Sequence, residues 1–180
     1  MKKTTIFIIF SLLFLCSYAQ EAFDKRKETI NVIYKFNFTD DDQIKEYFKN
    51  GHSFLINKTF SLNKALSVAP VLDYSYLNGK IQKHNFSIGA DAVFFPLNII
   101  SMLKNKNYKS YMDDYFLSIG FYKTVNSSSV NSIFNITLSV YSFNISKNFK
   151  IAPVVGVSFY NQNNDIKDLT FSNIGVNFKF

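Results

Sequence analysis

Cysteine is almost absent. The single Cys16 lies within the first twenty residues, which excludes a disulfide scaffold. Only two histidines occur, and no set of Cys and His at zinc-ligand spacing accompanies them. No glycine-rich phosphate loop is present either. Basic residues outnumber acidic ones, 20 to 13, yet the lysines are scattered, and no basic stripe points to nucleic acid. Beyond residue 19 there is no apolar run long enough for a membrane-spanning helix. What is abundant is apolar and aromatic: 47% hydrophobic residues, with 21 Phe and 11 Tyr. Such a chain is too apolar for a disordered tail.

The N-terminus reads as an export signal. Lys2 and Lys3 form a positive start, Ile6 to Cys16 an apolar stretch too short to span a bilayer, and Ser17-Tyr18-Ala19 a small-x-small cleavage site. The expected domains are therefore a signal peptide over 1–19 and one exported domain over 20–180. Cleavage leaves 180 − 19 = 161 residues with a net charge of 18 − 13 = +5. Leu15 precedes Cys16 where lipoprotein signals need a small residue, which argues against lipidation.

Apolar residues of the mature chain recur with period two, the mark of half-buried strands. Eight segments show it: 28–38, 52–61, 65–76, 84–95, 114–124, 133–143, 150–160 and 169–180. Asn78-Gly79 is expected to turn the third into the fourth. A weak repeat relates Phe60–Tyr76 to Phe143–Phe159 at an offset of 143 − 60 = 83, which suggests two four-strand halves. Pro70 and Pro153 coincide in it and suggest a shared bulge. Between strands, Asp40–Asn50, with helical spacing and Gly51 placed to stop it, and Leu97–Lys109, apolar and then Lys/Asn-rich, are each either short helix or irregular loop.

Side-chain volume bears on which face points inward. Eight strands carry some thirty bulky apolar groups, whereas an eight-stranded barrel core holds roughly a dozen. The opposing Ser, Asn, Gly, Thr and Asp residues fit inside, so the apolar faces are expected to point outward. The fold class is then all-β, an antiparallel up-and-down transmembrane barrel of about eight strands. A two-sheet sandwich with the apolar faces inward is the alternative, and would suit a soluble exported protein binding an apolar ligand. On the inward face Lys35, Asp73, Asp91, Asp114 and Lys179 form a polar cluster. Lys35 and Lys179 are expected to approach each other on adjoining first and last strands, with carboxylates pairing to them. A packed polar interior is the simpler reading, and a narrow ion or water path the sharper one.

The signal, the strand count and a last strand with Ile174, Val176, Phe178 and Phe180 on one face resemble small outer-membrane β-barrels of Gram-negative bacteria, such as the transmembrane domain of OmpA. The Lys/Asn/Phe-rich style is similar to those of the Bacteroidetes. The resemblance implies that those four residues are the signal read by the outer-membrane insertion machinery. It also implies a cell-envelope protein in the outer membrane, porin-like in architecture, monomeric, contacting lipid and no nucleic acid, without cofactor or metal. Its role would be structural or one of surface interaction, and not enzymatic. Some small barrels are lipid-modifying enzymes with His and Ser at the outer rim. His52 with Ser53, and His84, are the residues such a reading would use. Asp40-Asp41-Asp42 lacks the alternating ligands of a calcium loop and reads as a helix start.

Overall fold

The computed structural model describes residues 28–79, 83–104, 114–126, 130–162 and 169–180. The expected signal peptide and its cleavage site lie outside the described residues. Among the described residues nine strands form one sheet: β1 Thr29–Phe38, β2 Phe48–Ser61, β3 Leu66–Gly79, β4 Lys83–Phe94, β5 Phe116–Thr124, β6 Val130–Ser139, β7 Phe143–Ser146, β8 Phe149–Gln162 and β9 Leu169–Lys179. The described residues also hold two short helices, α1 Asp42–Tyr47 and α2 Pro96–Leu103.

All pairings are antiparallel. The order runs β6-β5-β4-β3-β2-β1-β9-β8, and β8 pairs back onto β6. The sheet is therefore a closed eight-stranded up-and-down barrel and leaves no free edge along it. β1 and β9 meet from Phe38↔Ser172 to Asn31↔Lys179, and Phe180 exchanges both backbone hydrogen bonds with Ile30. The sandwich expectation is not met.

β7 is the far end of the sixth barrel strand. Leu138 faces Val155 and Phe143 faces Ile151, so five steps on one strand oppose four on the other. The extra residue lies opposite Pro153, which has no N–H to give to that ladder. Pro70 behaves differently. Asn57↔Val71 and Phe60↔Val68 hold one register on either side of it. The bulge inferred from the repeat thus exists at Pro153 and not at Pro70. The repeated segments otherwise occupy matching places, the β2–β3 and β7–β8 hairpins at one rim. At the first of these, the Asn63 carboxamide oxygen accepts from Ala65 and Leu66 N–H, each at 2.8 Å.

Several boundaries differ from the sequence expectation. Asn78 and Gly79 belong to β3, opposite Asn50 and Phe48 of β2, and do not form a turn. A Cβ at Gly79 would strike the Tyr47 carbonyl, so only glycine lets α1 and β3 come that close. Gly51 lies within β2 opposite Asn37 and does not stop a helix. α1 is shorter than expected and is capped by Asp41, whose carboxylate accepts from Gln43 and Ile44 N–H at 2.9 and 3.4 Å. α2 settles the 97–109 alternative in favour of helix over its described part. Pro96 opens it, and Asn98 donates to the Lys64 carbonyl at 2.8 Å.

The parity of the strands is unambiguous. Along β1, Asn31, Ile33, Lys35 and Asn37 are buried, while Ile30 and Phe38 are exposed. On the other strands Leu72 is 58%, Ile88 55%, Phe121 58% and Ile174 55% exposed, against 5% or less for Asp73, Ser87, Asp91 and Asn173. The protein is apolar outside and polar inside, the reverse of a soluble protein.

Candidate functional site

The barrel has two rims. One carries residue 28, Phe180, α2 and the turns at 62–65 and 147–148; it is called here the terminal rim. The other carries α1 and is called the loop rim.

Halfway between them, inward side chains close the bore. The Lys35 ammonium donates to Asn135 Oδ1 at 3.0 Å and to Thr137 Oγ1 at 2.5 Å, across the barrel from its own strand. Ser158 donates to the same Asn135 oxygen at 3.0 Å, and Asn173 donates to Ser158 Oγ at 3.0 Å. The Tyr122 hydroxyl donates to Asp91 Oδ1 at 2.7 Å. Gly120 makes that contact possible, because a Cβ there would collide with both the Asp91 carboxylate and the Tyr122 ring. Tyr160 fills the remaining bore and meets Phe171 edge-on at 5.6 Å between ring centres.

From this plug to the loop rim the interior is packed. Asn37 donates to Ser53 at 2.7 Å, Ser87 and Thr124 share a hydrogen bond at 3.2 Å, and Leu77, Val130 and Phe171 are fully buried among them. From the plug to the terminal rim the interior is hollow. A cavity of about 730 Å³ reaches from Lys35, Asp91 and Asn135 to Lys147, Asn148 and Phe180 at the rim. The expected packed polar interior therefore describes one half only. The plug also argues against the continuous ion path: a second void, lined by Lys35 and Tyr160, holds only about 10 Å³.

The polar cluster expected from sequence divides in two. Lys35, Asp73 and Asp91 come together at the plug, near enough for the lysine to feel both carboxylates. Its hydrogen bonds nevertheless go to amide and hydroxyl oxygens. Asp73 Oδ2 has no hydrogen-bond partner among the described residues. Asp114 and Lys179 lie at the terminal rim instead. Lys35 is opposite Gly175 and Lys179 opposite Asn31, so the two lysines do not meet. Asp114 pairs with Lys150 at 3.2 Å, and Lys179 lies over the Phe116 ring at 4.9 Å. Parity placed these residues inward; it carried no information on height along the barrel, which strand register decides. Tyr122 and Tyr160 were missed as plug residues, although both fall on the inward parity.

The two histidines sit on the outer face. Phe36, His52, Tyr76 and His84 form a row across β1 to β4, above a row of Tyr34, Phe54, Tyr74 and Phe86. Tyr34 and His52 are hydrogen-bonded at 2.6 Å, and Tyr74 and His84 at 2.7 Å. Ser53 points inward to Asn37, so His52 and Ser53 lie on opposite sides of the wall and form no nucleophile–base pair. No group of three metal-ligating side chains occurs among the described residues.

Ile174, Val176, Phe178 and Phe180 share the outward face of β9, and Phe149 stacks over both phenylalanines.

Fold and surfaces together define a class: a closed antiparallel eight-stranded barrel with a polar, plugged bore and an apolar outer belt. Among solved structures the chain is similar to the backbone structure of the Yersinia pestis outer membrane protein Ail in a phospholipid bilayer nanodisc. The identity is 16%, the match covers 85% of this chain and 98% of that chain, and the TM-score is 0.41. No protein-family model and no curated protein matches the chain.

Proposed function

We propose that the protein is a monomeric barrel of the bacterial outer membrane, non-enzymatic, with a structural role or one of surface interaction through its loop rim. The observation that carries this reading is the inverted surface. Water cannot solvate a closed ring of Ile, Leu, Val and Phe without a large free-energy cost, whereas lipid can. A closed barrel also satisfies every backbone group that would face lipid.

The dimensions agree. Ile30 to Phe38 spans roughly 27 Å of strand and, at a tilt of ~40°, roughly 20 Å of height, near the apolar band of such barrels. At the terminal side Lys58, opposite Ile30, pairs with Glu28 at 2.8 Å on the outer face and bounds it. The Tyr–His pairs, level with Tyr34 and Phe36, lie in the loop-side half of that span, and each Tyr hydroxyl is hydrogen-bonded to a His ring and not left to the lipid. The terminal rim then faces the periplasm and the loop rim the exterior. Cleavage after Ala19, kinship with the barrels of the Bacteroidetes, and recognition of Ile174, Val176, Phe178 and Phe180 by the insertion machinery belong to the same proposal.

The test is electrophoresis of membrane fractions in SDS with and without boiling. A closed membrane barrel gives a heat-modifiable band in the outer-membrane fraction. A single band in the soluble periplasmic fraction would overturn the reading. Ile174→Asp or Val176→Asp should abolish the heat-modifiable band; unchanged insertion would show that this face does not meet lipid.

A further inference from the structure

The vestibule behind the terminal rim is built unlike the rest of the bore. The inward face is polar on most strands, but here it is interrupted by Ile33, Leu55, Val93 and Phe116, all buried. Ile33 and Leu55 stand directly opposite each other on β1 and β2, and Val93 lies two strands further round on β4. Phe95, just beyond β4, completes the apolar wall. These groups belong to the buried apolar cluster of the barrel. They line a space of about 730 Å³, within the range of small-molecule sites. Toward the rim the lining changes to Lys64, Lys147, Lys150 and Lys179. With Lys35 at the floor, the described lining holds five lysines; Asp91 and Asp114 face them, Asp114 paired with Lys150.

An apolar sleeve ending in a lysine-rich rim matches one kind of ligand. We propose that the vestibule binds an amphiphilic anion: an acyl or aryl body seated against Ile33, Leu55, Val93 and Phe116, with one carboxylate or phosphate head among the rim lysines. The apolar body removes the sleeve from water, and the long lysine stems let the ammonium groups converge on the head. The floor is shut by the Lys35–Asn135–Thr137 contacts, so the site is a dead end entered from one side only. It captures its ligand and does not conduct it. This function is separate from membrane residence, since the sleeve faces the bore and not the lipid.

The experiment is methyl NMR of the full-length protein in a neutral detergent, titrated with decanoate and with 2-naphthyl phosphate. Methyls of Ile33, Leu55 and Val93 report the vestibule; those of Leu72 and Ile88, on the outer face, report the micelle. Saturable shifts confined to the first set are expected, and the tighter of the two probes tells an acyl chain from an aromatic ring. Decanol and 2-naphthol, which lack the charge, should bind roughly tenfold more weakly or worse. The double variant Lys147→Glu with Lys179→Glu should lose a similar factor without disturbing the fold, because both side chains lie at the rim. Val93→Glu, inside the sleeve, should abolish the vestibule shifts. Shifts at the outer methyls alone, equal binding of the neutral analogues, or unchanged affinity in the double variant would each overturn the proposal.

Discussion

In the loop-side half of the bore, Asn37, Ser53, Asn85 and Asn173 interdigitate with Tyr122, Tyr160 and Phe171, and space is filled. In the terminal half, Ile33, Leu55, Val93, Phe116 and Ser118 stand around a vestibule instead. Both halves stand on the same eight strands and the same alternation. What separates them is which side chains reach across at a given height: Tyr122 and Tyr160 close so narrow a bore, whereas the terminal-side residues stay around its wall and leave about 730 Å³. Alternation decides which residues enter the barrel, and size decides whether they meet.

That contrast can be broken first at its boundary. Lys35→Met removes the cation that holds Asn135 and Thr137 and that faces Asp73 and Asp91. Stranding buried carboxylates should cost about 3 kcal/mol or more, seen as a lower urea midpoint for the heat-modifiable band. A wild-type midpoint would mean that Lys35 does not hold the plug.

Enlarging one residue in each half sharpens the comparison. Ser75, at 0% exposure among Ser53 and Asn85, has no room. Ser75→Phe should destabilise by about 1–3 kcal/mol through overpacking. Val93→Phe points into the vestibule and should stay within about 0.5 kcal/mol of wild type. Equal losses at both sites would show that the terminal half is as full as the other.

A smaller effect is expected from Tyr122→Phe. It keeps the ring but removes the hydroxyl that donates to Asp91 and accepts from Asn135 at 3.3 Å. The loss should be about 1–2 kcal/mol by urea unfolding. It should leave the vestibule methyls near their wild-type shifts, apart from those next to Asp91.

How much of this was legible follows from what period two encodes. Phe86, Ile88 and Phe121 against Ser87, Gly89 and Gly120 already separated two faces, and the volume of the apolar set turned that face outward. Within the polar cluster, the inward direction of Lys35, Asp73 and Asp91 was readable. The separation of Lys179 from Lys35 was not, because β1 and β9 meet 134 residues or more apart in sequence (172 − 38) and their register is set by barrel closure. The Asn78-Gly79 dipeptide misled for a related reason. Its turn chemistry is sound in isolation, but pairing with Asn50 and Phe48 of β2 carries β3 through it.

By itself, then, the sequence determined the strand content, the inside-out distribution of polar and apolar groups, and the count of eight barrel strands, since these depend on local alternation and on volume summed along the chain. Only the tertiary structure decided the heights at which side chains meet. It brought Lys35 to Asn135 and Thr137 on a strand a hundred residues away. It set Asp114 against Lys150 and placed Ile33, Leu55, Val93 and Phe116 around one empty sleeve. The physical reason is closure: the stagger between the first and last strands fixes every cross-barrel neighbour at once, and no local stretch of sequence contains that stagger.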